Sequence, residues 1–343
     1  MNILKVIFVI IGTLIGAGFA SGQEMYLFFY SYGIEGLIGI LISSILMGIV
    51  IYKVFVKVKK YNIETYKDLL ETFLISKTKN KFSNLENVIN IVINVFILIT
   101  FFIMIAGFGA YFSQELGINS LIGSSVLALI CFVIFKSSTK GVVKASEILV
   151  PMLILIVAII GIINLKQIDI LKLDQYIIKT NSSNFAVSGI IYCSYNSILL
   201  IPVLITLKKY ITSKKQILGI SIITTLITII LAVLIFTLLV KIDVDITKLE
   251  MPVVYVTSHM SKMVGLLYGF VILTSIFTTT ISLGNSFLQN TSKNEKSYTQ
   301  IALIMCITSV IISKIGFSNL ISSLYPIFGY LGIIQILLLF KSI

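Results

Sequence analysis

The residues with the most chemistry in this 343-residue chain lie inside its first apolar run, IGTLIGAGFASGQE, residues 11–24. Four glycines, Gly12, Gly16, Gly18 and Gly22, punctuate it, and Gln23 and Glu24 close it. Glycine has no Cβ, so Ile15-Gly16-Ala17-Gly18 can unwind at little steric cost. An unwound step leaves free carbonyls at the end of one half-helix. It leaves free N–H groups, with a positive dipole end, at the start of the next, from about Phe19. The N–H end suits a carboxylate and the carbonyl end suits an ammonium or a metal cation. An α-amino acid carries both charges on one carbon, so the chemistry on offer is reversible binding. The same glycines, Gly12-x-x-x-Gly16 above all, also fit close helix packing. A second polar interruption, Cys193-Ser194-Tyr195-Asn196 within residues 190–202, tips the reading towards a site.

Charged residues inside apolar runs are few. Glu24 falls in the outer half of the first run, where a carboxylate is costly unless it faces a cavity or a partner. It can pair with a cationic substrate, carry a proton, or tie the first and sixth segments together by hydrogen bonding. Lys144 and Glu147 are three apart on one helical face, which fits an i,i+3 ion pair. Cys131, Cys193 and Cys306 lie in apolar segments without CxxC spacing, which argues against a disulfide framework or a zinc site. There is no P-loop, no Gly-x-Ser-x-Gly and no His/Cys/Asp/Glu cluster at metal spacing. The sequence is not read as an enzyme.

These residues are positioned by a membrane protein. The chain is 57% hydrophobic and 12% charged, with a mean hydropathy of +1.07, more apolar surface than a soluble fold can hide. Ten segments are long enough to span: 4–30, 33–57, 86–114, 119–136, 141–164, 185–207, 216–241, 262–290, 298–314 and 318–341. All 26 basic residues are lysines. Most fall in connections on one side if the N-terminus is cytoplasmic, so the +12 charge reports topology and not nucleic-acid binding. The expectation is a multi-pass protein of the cytoplasmic (inner) membrane with both termini inside. ETYKDLLETF in the 58–85 connection reads as a short amphipathic helix, and MPVVYVTSHMSKM, residues 251–263, as a re-entrant or interfacial lid. Pro151 and Pro326 fall midway in segments 5 and 10. Segments 1 and 6 are both interrupted. Two five-span halves, 1–164 and 185–343, therefore suggest an inverted repeat with broken helices 1 and 6 in a single transmembrane domain.

GTLIGAGFASGQE, with Ala106-Gly107-Phe108-Gly109-Ala110 and Tyr192-Cys193-Ser194-Tyr195-Asn196, resembles the amino acid–polyamine–organocation superfamily and its YkvI-like permease branch. The resemblance implies the all-α leucine-transporter fold over essentially the whole chain. It implies that Gly16, Ala17 and Gly18 bind a substrate carboxylate, which Tyr111 helps to cap. Tyr192, Ser194, Tyr195 and Asn196 would line the pocket from helix 6. The backbone carbonyls of Gly12 and Ile15, the Ser275 carbonyl, and the hydroxyls of Thr278 and Thr279 would hold a sodium ion. Tyr111 also fits a membrane-interface tyrosine, and the threonines also fit self-bonding to their own helix. In sodium-independent relatives a helix 5 lysine replaces the sodium, a place Lys144 would take, with coupling then to protons.

The expectation is an all-α secondary transporter, a cation-coupled symporter of an amino acid or similar small zwitterion working by alternating access. Sodium is the candidate coupling ion, no other cofactor is implied, and the partners are the solute and the lipid bilayer. The alternative is a membrane receptor that binds an amino acid without moving it.

Overall fold

A computed structural model describes residues 3–64, 68–69, 83–137, 140–166, 177 and 179–341. The described residues are almost entirely helical and contain no strand. The first apolar run is divided into α1 (Ile3–Leu14), α2 (Ala17–Ser21) and α3 (Gln23–Phe28). Then follow α4 (Glu35–Lys60), α5 (Ser83–Leu116), α6 (Ser120–Ser137) and α7 (Lys140–Leu165). The second half holds α8 (Phe185–Leu207), α9 (Lys214–Leu239), the short α10 (Pro252–Met260), α11 (Lys262–Thr291), α12 (Glu295–Ser313) and α13 (Phe317–Lys341). Among the described residues, seven helices are long and apolar enough to cross a membrane by length and composition. Three shorter apolar helices, Ile3–Leu14, Ser120–Lys136 and Pro151–Leu165, fall in expected segments 1, 4 and 5.

The outward surface explains this apolar content. On α4, Ile38, Leu41, Ile45 and Ile49 are exposed at helical spacing, and on α9 Leu218, Ile222, Leu226 and Ile230 are exposed in the same way. Rows of exposed Leu and Ile along successive helices suit lipid and not water. The chain is a multi-pass membrane protein.

Packing sorts the helices into two groups. One joins α1, α4, α8 and α9, and the other joins α5, α6, α11 and α12. α7 lies against α9 and α11, and α13 lies against α8 and α5, so these two flank both groups. Lys57 is buried at the end of α4, and its ammonium donates to the Leu339 carbonyl at 2.5 Å, tying the last helix down.

The first interruption opens as the glycines foretell, and the second does not. Around Gly16 the helical ladder stops at Ile15 N–H to Ile11 O and resumes at Ala20 N–H to Gly16 O. Gly16 itself is extended, at φ −86° and ψ −172°. A further break, unforeseen, comes at Gly22, which sits at φ 87° between α2 and α3. Helix 6, expected to be broken, is instead the continuous α8 through residues 190–202, Pro202 included. Its polar side chains bond to the helix they belong to. Ser194 Oγ donates to Ile190 O at 2.7 Å, Asn196 Nδ2 to Tyr192 O at 3.1 Å and Ser197 Oγ to Ser194 O at 2.7 Å. Side-chain donors satisfied in this way need no opening of the backbone ladder.

The lid expected at 251–263 is helical in part: α10, with Val253, Val254, Val256 and Thr257 buried. The helix expected at ETYKDLLETF lies outside the described residues, apart from Glu64, Asp68 and Leu69.

Candidate functional site

The two breaks leave specific groups free. Between the two rungs that flank Gly16, the carbonyls of Gly12 through Ile15 and the N–H groups of Gly16 through Phe19 stand outside the ladder. In a membrane such groups must face protein, water or a ligand. Here the residues from Gly12 through Gly18 line a cavity of about 1450 Å³ between the two helix groups. Gly12, Ile15, Gly16, Ala17, Gly18 and Glu24 line it from the first run, and Tyr195 and Asn196 from α8. Opposite them, Ser275, Thr278 and Thr279 line it from α11.

The predicted residues therefore divide. Eleven of them meet at one cavity. Tyr192, buried in α8, lies outside that wall, with its ring 5.3 Å from that of Tyr195 and 4.9 Å from that of Phe29. Ser194 is also away from the wall, its carbonyl packed on Gly332 of α13. Tyr111 packs its phenol on Gly269 of α11 and does not reach the cavity. The side chains of Lys144 and Glu147 lie outside the described residues.

The two α11 threonines differ. Thr278 Oγ1 donates to the carbonyls of Thr274 at 3.0 Å and Ser275 at 3.1 Å, so it bonds its own helix. Thr279 is half-buried on the cavity wall, and among the described residues its hydroxyl has no hydrogen-bond partner. Carbonyls and hydroxyls are hard, neutral oxygen ligands of the kind that suits a small monovalent or divalent cation.

Glu24 is held at the inner wall of the cavity by α8. Tyr195 Oη donates to Glu24 Oε2 at 2.5 Å, and Tyr195 packs on Tyr325 of α13 with ring centroids 4.7 Å apart. The Glu24 side chain turns back onto Gly18, where an added Cβ would meet its carboxylate carbon at 2.9 Å. Gly18 is thus required by a side chain six residues on.

The cavity's two ends are unequal. At one end Lys5, Ser286, Gln289 and Asn290 are exposed, and Asn290 Nδ2 donates to Asn94 Oδ1 at 2.9 Å within the second group, from α11 to α5. Beyond Glu24 the other end is sealed. Tyr268 Oη donates to Ala20 O at 2.5 Å, and Gln23 Nε2 donates to the Leu249 carbonyl. Gln114 exchanges two bonds with the Met251 backbone: Met251 N–H to Oε1 at 2.9 Å and Nε2 to Met251 O at 3.0 Å. Ser258 donates to Glu115. Sequence reasoning marked residues 251–263 as a lid but missed Tyr268, Tyr325 and the contacts that seat this segment. A tyrosine inside an apolar run reads as packing, and contacts between distant loops leave no local pattern.

Known proteins resemble the chain along nearly its whole length. No family profile matches it. It is 29% identical over 337 residues to the membrane protein YkvI of Bacillus subtilis, across 95% of this chain and 92% of that one. It is 24% identical over 335 residues to YyaD of the same organism, across 96% and 94%. Among solved structures it is similar to a sodium-coupled sialic acid symporter in its substrate-bound outward-open state, with TM-score 0.61, 14% identity, and 99% of this chain on 78% of that one. It is also similar to the Eremococcus coleocola manganese transporter, with TM-score 0.57, 11% identity, and coverage of 98% and 77%. At these identities the likeness is one of fold, and the fold is one that secondary transporters use. These neighbours are transporters, not enzymes.

Proposed function

We propose that the protein is a secondary active transporter that moves a small zwitterion, foremost an amino acid, by alternating access with sodium as the coupling cation. The observation that carries this is the Gly16 break. Its unbonded carbonyls and N–H groups share one cavity with Ser275, Thr278 and Thr279, and that cavity lies between two separately packed helix groups. Gly16, Ala17, Gly18, Tyr195 and Asn196 would hold the solute, backed by Tyr192, Ser194 and Tyr111 one layer out. Gly12, Ile15, Ser275, Thr278 and Thr279 would hold the sodium ion. The sodium-coupled symporter among the structural neighbours supports the choice of ion.

The grouping also supports the leucine-transporter arrangement, ten spans in two inverted halves, 1–164 and 185–343, within one domain. Segments 1, 2, 6 and 7 pack together, as do 3, 4, 8 and 9, the pairing such a repeat makes. The lysine distribution supports an arrangement with both termini in the cytoplasm. The open end of the cavity, with Lys5 at its mouth, then faces inward and the α10 end is shut. Rocking one group against the other would reverse this. Ion and solute must bind one of the two states better than the other, or the gradient does no work.

The test is uptake by proteoliposomes, each common amino acid supplied with a sodium gradient, a proton gradient or neither. Sodium-driven accumulation of at least one solute is expected. Accumulation driven by protons alone would move the coupling to Glu24 or Lys144. Saturable binding without accumulation under any gradient would overturn transport in favour of a receptor.

A further inference from the structure

Glu24 is 4% exposed, yet it lines the cavity. Its surroundings hold no positive charge among the described residues. Tyr195 donates to it, the Tyr192 hydroxyl lies beside it, and Tyr325 completes that part of the wall. Behind them the cluster is aromatic, with Phe28 stacked on Tyr195 at 5.5 Å and edge-on to Tyr192 at 5.4 Å. A buried carboxylate among neutral phenols needs a cation to stay charged.

Other groups on the same wall favour a cation too. The free carbonyls of Gly12 through Ile15 are the negative end of α1. Asn196 Nδ2 is already used on Tyr192 O, which leaves its amide oxygen to accept. A solute carboxylate set on the Gly18 N–H would lie against a like charge, because the Glu24 carboxylate already rests on Gly18. The N–H groups that could receive that carboxylate begin a helix of only 5 residues, Ala17–Ser21, with a correspondingly short dipole.

We infer that Glu24 is the counter-ion for an ammonium group on the solute, so that the site selects amines and does not require a carboxylate. This rests on the transport reading only for the position of the solute site. An ammonium presents its N–H donors to Glu24, to the carbonyls of the break and to the Asn196 oxygen. No charged group is then left unpaired in the membrane interior.

The test uses the full-length protein in detergent. The probes are the common amino acids, the amine that remains when each loses its carboxylate, and the N-acetyl derivative of each. Binding is read as a concentration-dependent rise in Tm. At least one amino acid and its decarboxylated amine should bind within ~10-fold of each other, and the matching N-acetyl acid should give no shift. Glu24→Gln should weaken the amine by ~30-fold or more, the size expected when one partner of a buried charge pair is removed. Glu24→Asp, which keeps the charge, should retain part of the affinity. Any of three results overturns the inference: an N-acetyl acid that binds like its parent, an unchanged Kd in Glu24→Gln, or a full set in which no amine shifts Tm. If Glu24→Gln does not fold, the amine and N-acetyl comparison on the unaltered protein decides. Uptake separates this inference from the transport reading. Amine binding that depends on Glu24 without accumulation sinks transport alone. Concentrative uptake of a solute lacking an amine sinks this inference alone.

Discussion

The first apolar run and α8 carry the same kind of interruption in the sequence and resolve it in opposite ways. The first run unwinds at Gly16 and bends again at Gly22. α8 carries Ser194, Asn196, Ser197 and Pro202 and stays helical. The difference lies in where free polar atoms come from. A hydroxyl or amide in α8 brings its own donor and uses it on a carbonyl one turn back, so no main-chain group is orphaned. Glycine brings nothing. It lets the backbone depart from helix, and the orphaned groups are main-chain ones that only a cavity can accept. One half of the molecule thereby acquires unspent hydrogen-bonding capacity, while the other supplies a rigid wall with one phenol, Tyr195, aimed at Glu24.

The largest effect should come from filling the break. In Gly18→Leu the new side chain must displace the Glu24 carboxylate, and solute binding should be lost outright, with a cost in stability of ~1–3 kcal/mol typical of overpacking. Wild-type affinity in this variant would mean that Glu24 and Gly18 need not touch. Next is Gly22→Ala, which places a Cβ at φ 87° and 2.6 Å from a Val253 methyl. A loss of ~1–2 kcal/mol is expected from the left-handed conformation alone. Pairing it with Val253→Ala should recover the steric part and leave the backbone part, as a denaturation series would show.

The contrast between spent and unspent groups can be sharpened on α11. Thr279→Ala removes a hydroxyl with no protein partner, whereas Thr278→Ala removes one that bonds its own helix. Sodium needed for half-maximal solute binding should rise ~10-fold or more in the first and less than ~3-fold in the second, a contrast of at least ~0.7 kcal/mol. Equal effects would place the ion elsewhere. Smallest should be Ser194→Ala, at ~0.5–1 kcal/mol for one side-chain hydrogen bond. Cys193, fully buried in α8, should remain unreactive to a membrane-permeant maleimide in this variant. Labelling of Cys193 would show that the self-bonded hydroxyl, and not the absence of glycine, keeps α8 whole.

Much of the fold is legible in the sequence because apolar run length is a direct requirement of the bilayer. Nine of the ten expected segments each contain one helix that begins and ends within a few residues of its expected limits, and the first is divided among α1, α2 and α3. The Gly16 break is legible for the same local reason, a glycine pair inside an apolar run. The α8 break was misread because polarity and helix breaking were treated as one signal, though Ser and Asn can serve the helix that holds them. Gly22 was passed over because its demand is conformational and reveals itself only as a positive φ against Val253. Tyr268, Tyr325 and Gln114 act through contacts more than a hundred residues away in the chain, and no local pattern encodes those.

Gln114 holds its partner in an unusual way. Both of its bonds run to the main chain of Met251, so the side chain at position 251 contributes to neither. The hydrogen bonds that seat the sealing segment are therefore written in α5. The Met251 side chain is fully buried and seats the segment by packing, while Gln114→Ala removes both main-chain bonds at once. The cover over this end of the cavity is thus hung from α5 by its main chain, as a door is hung from its hinge plate.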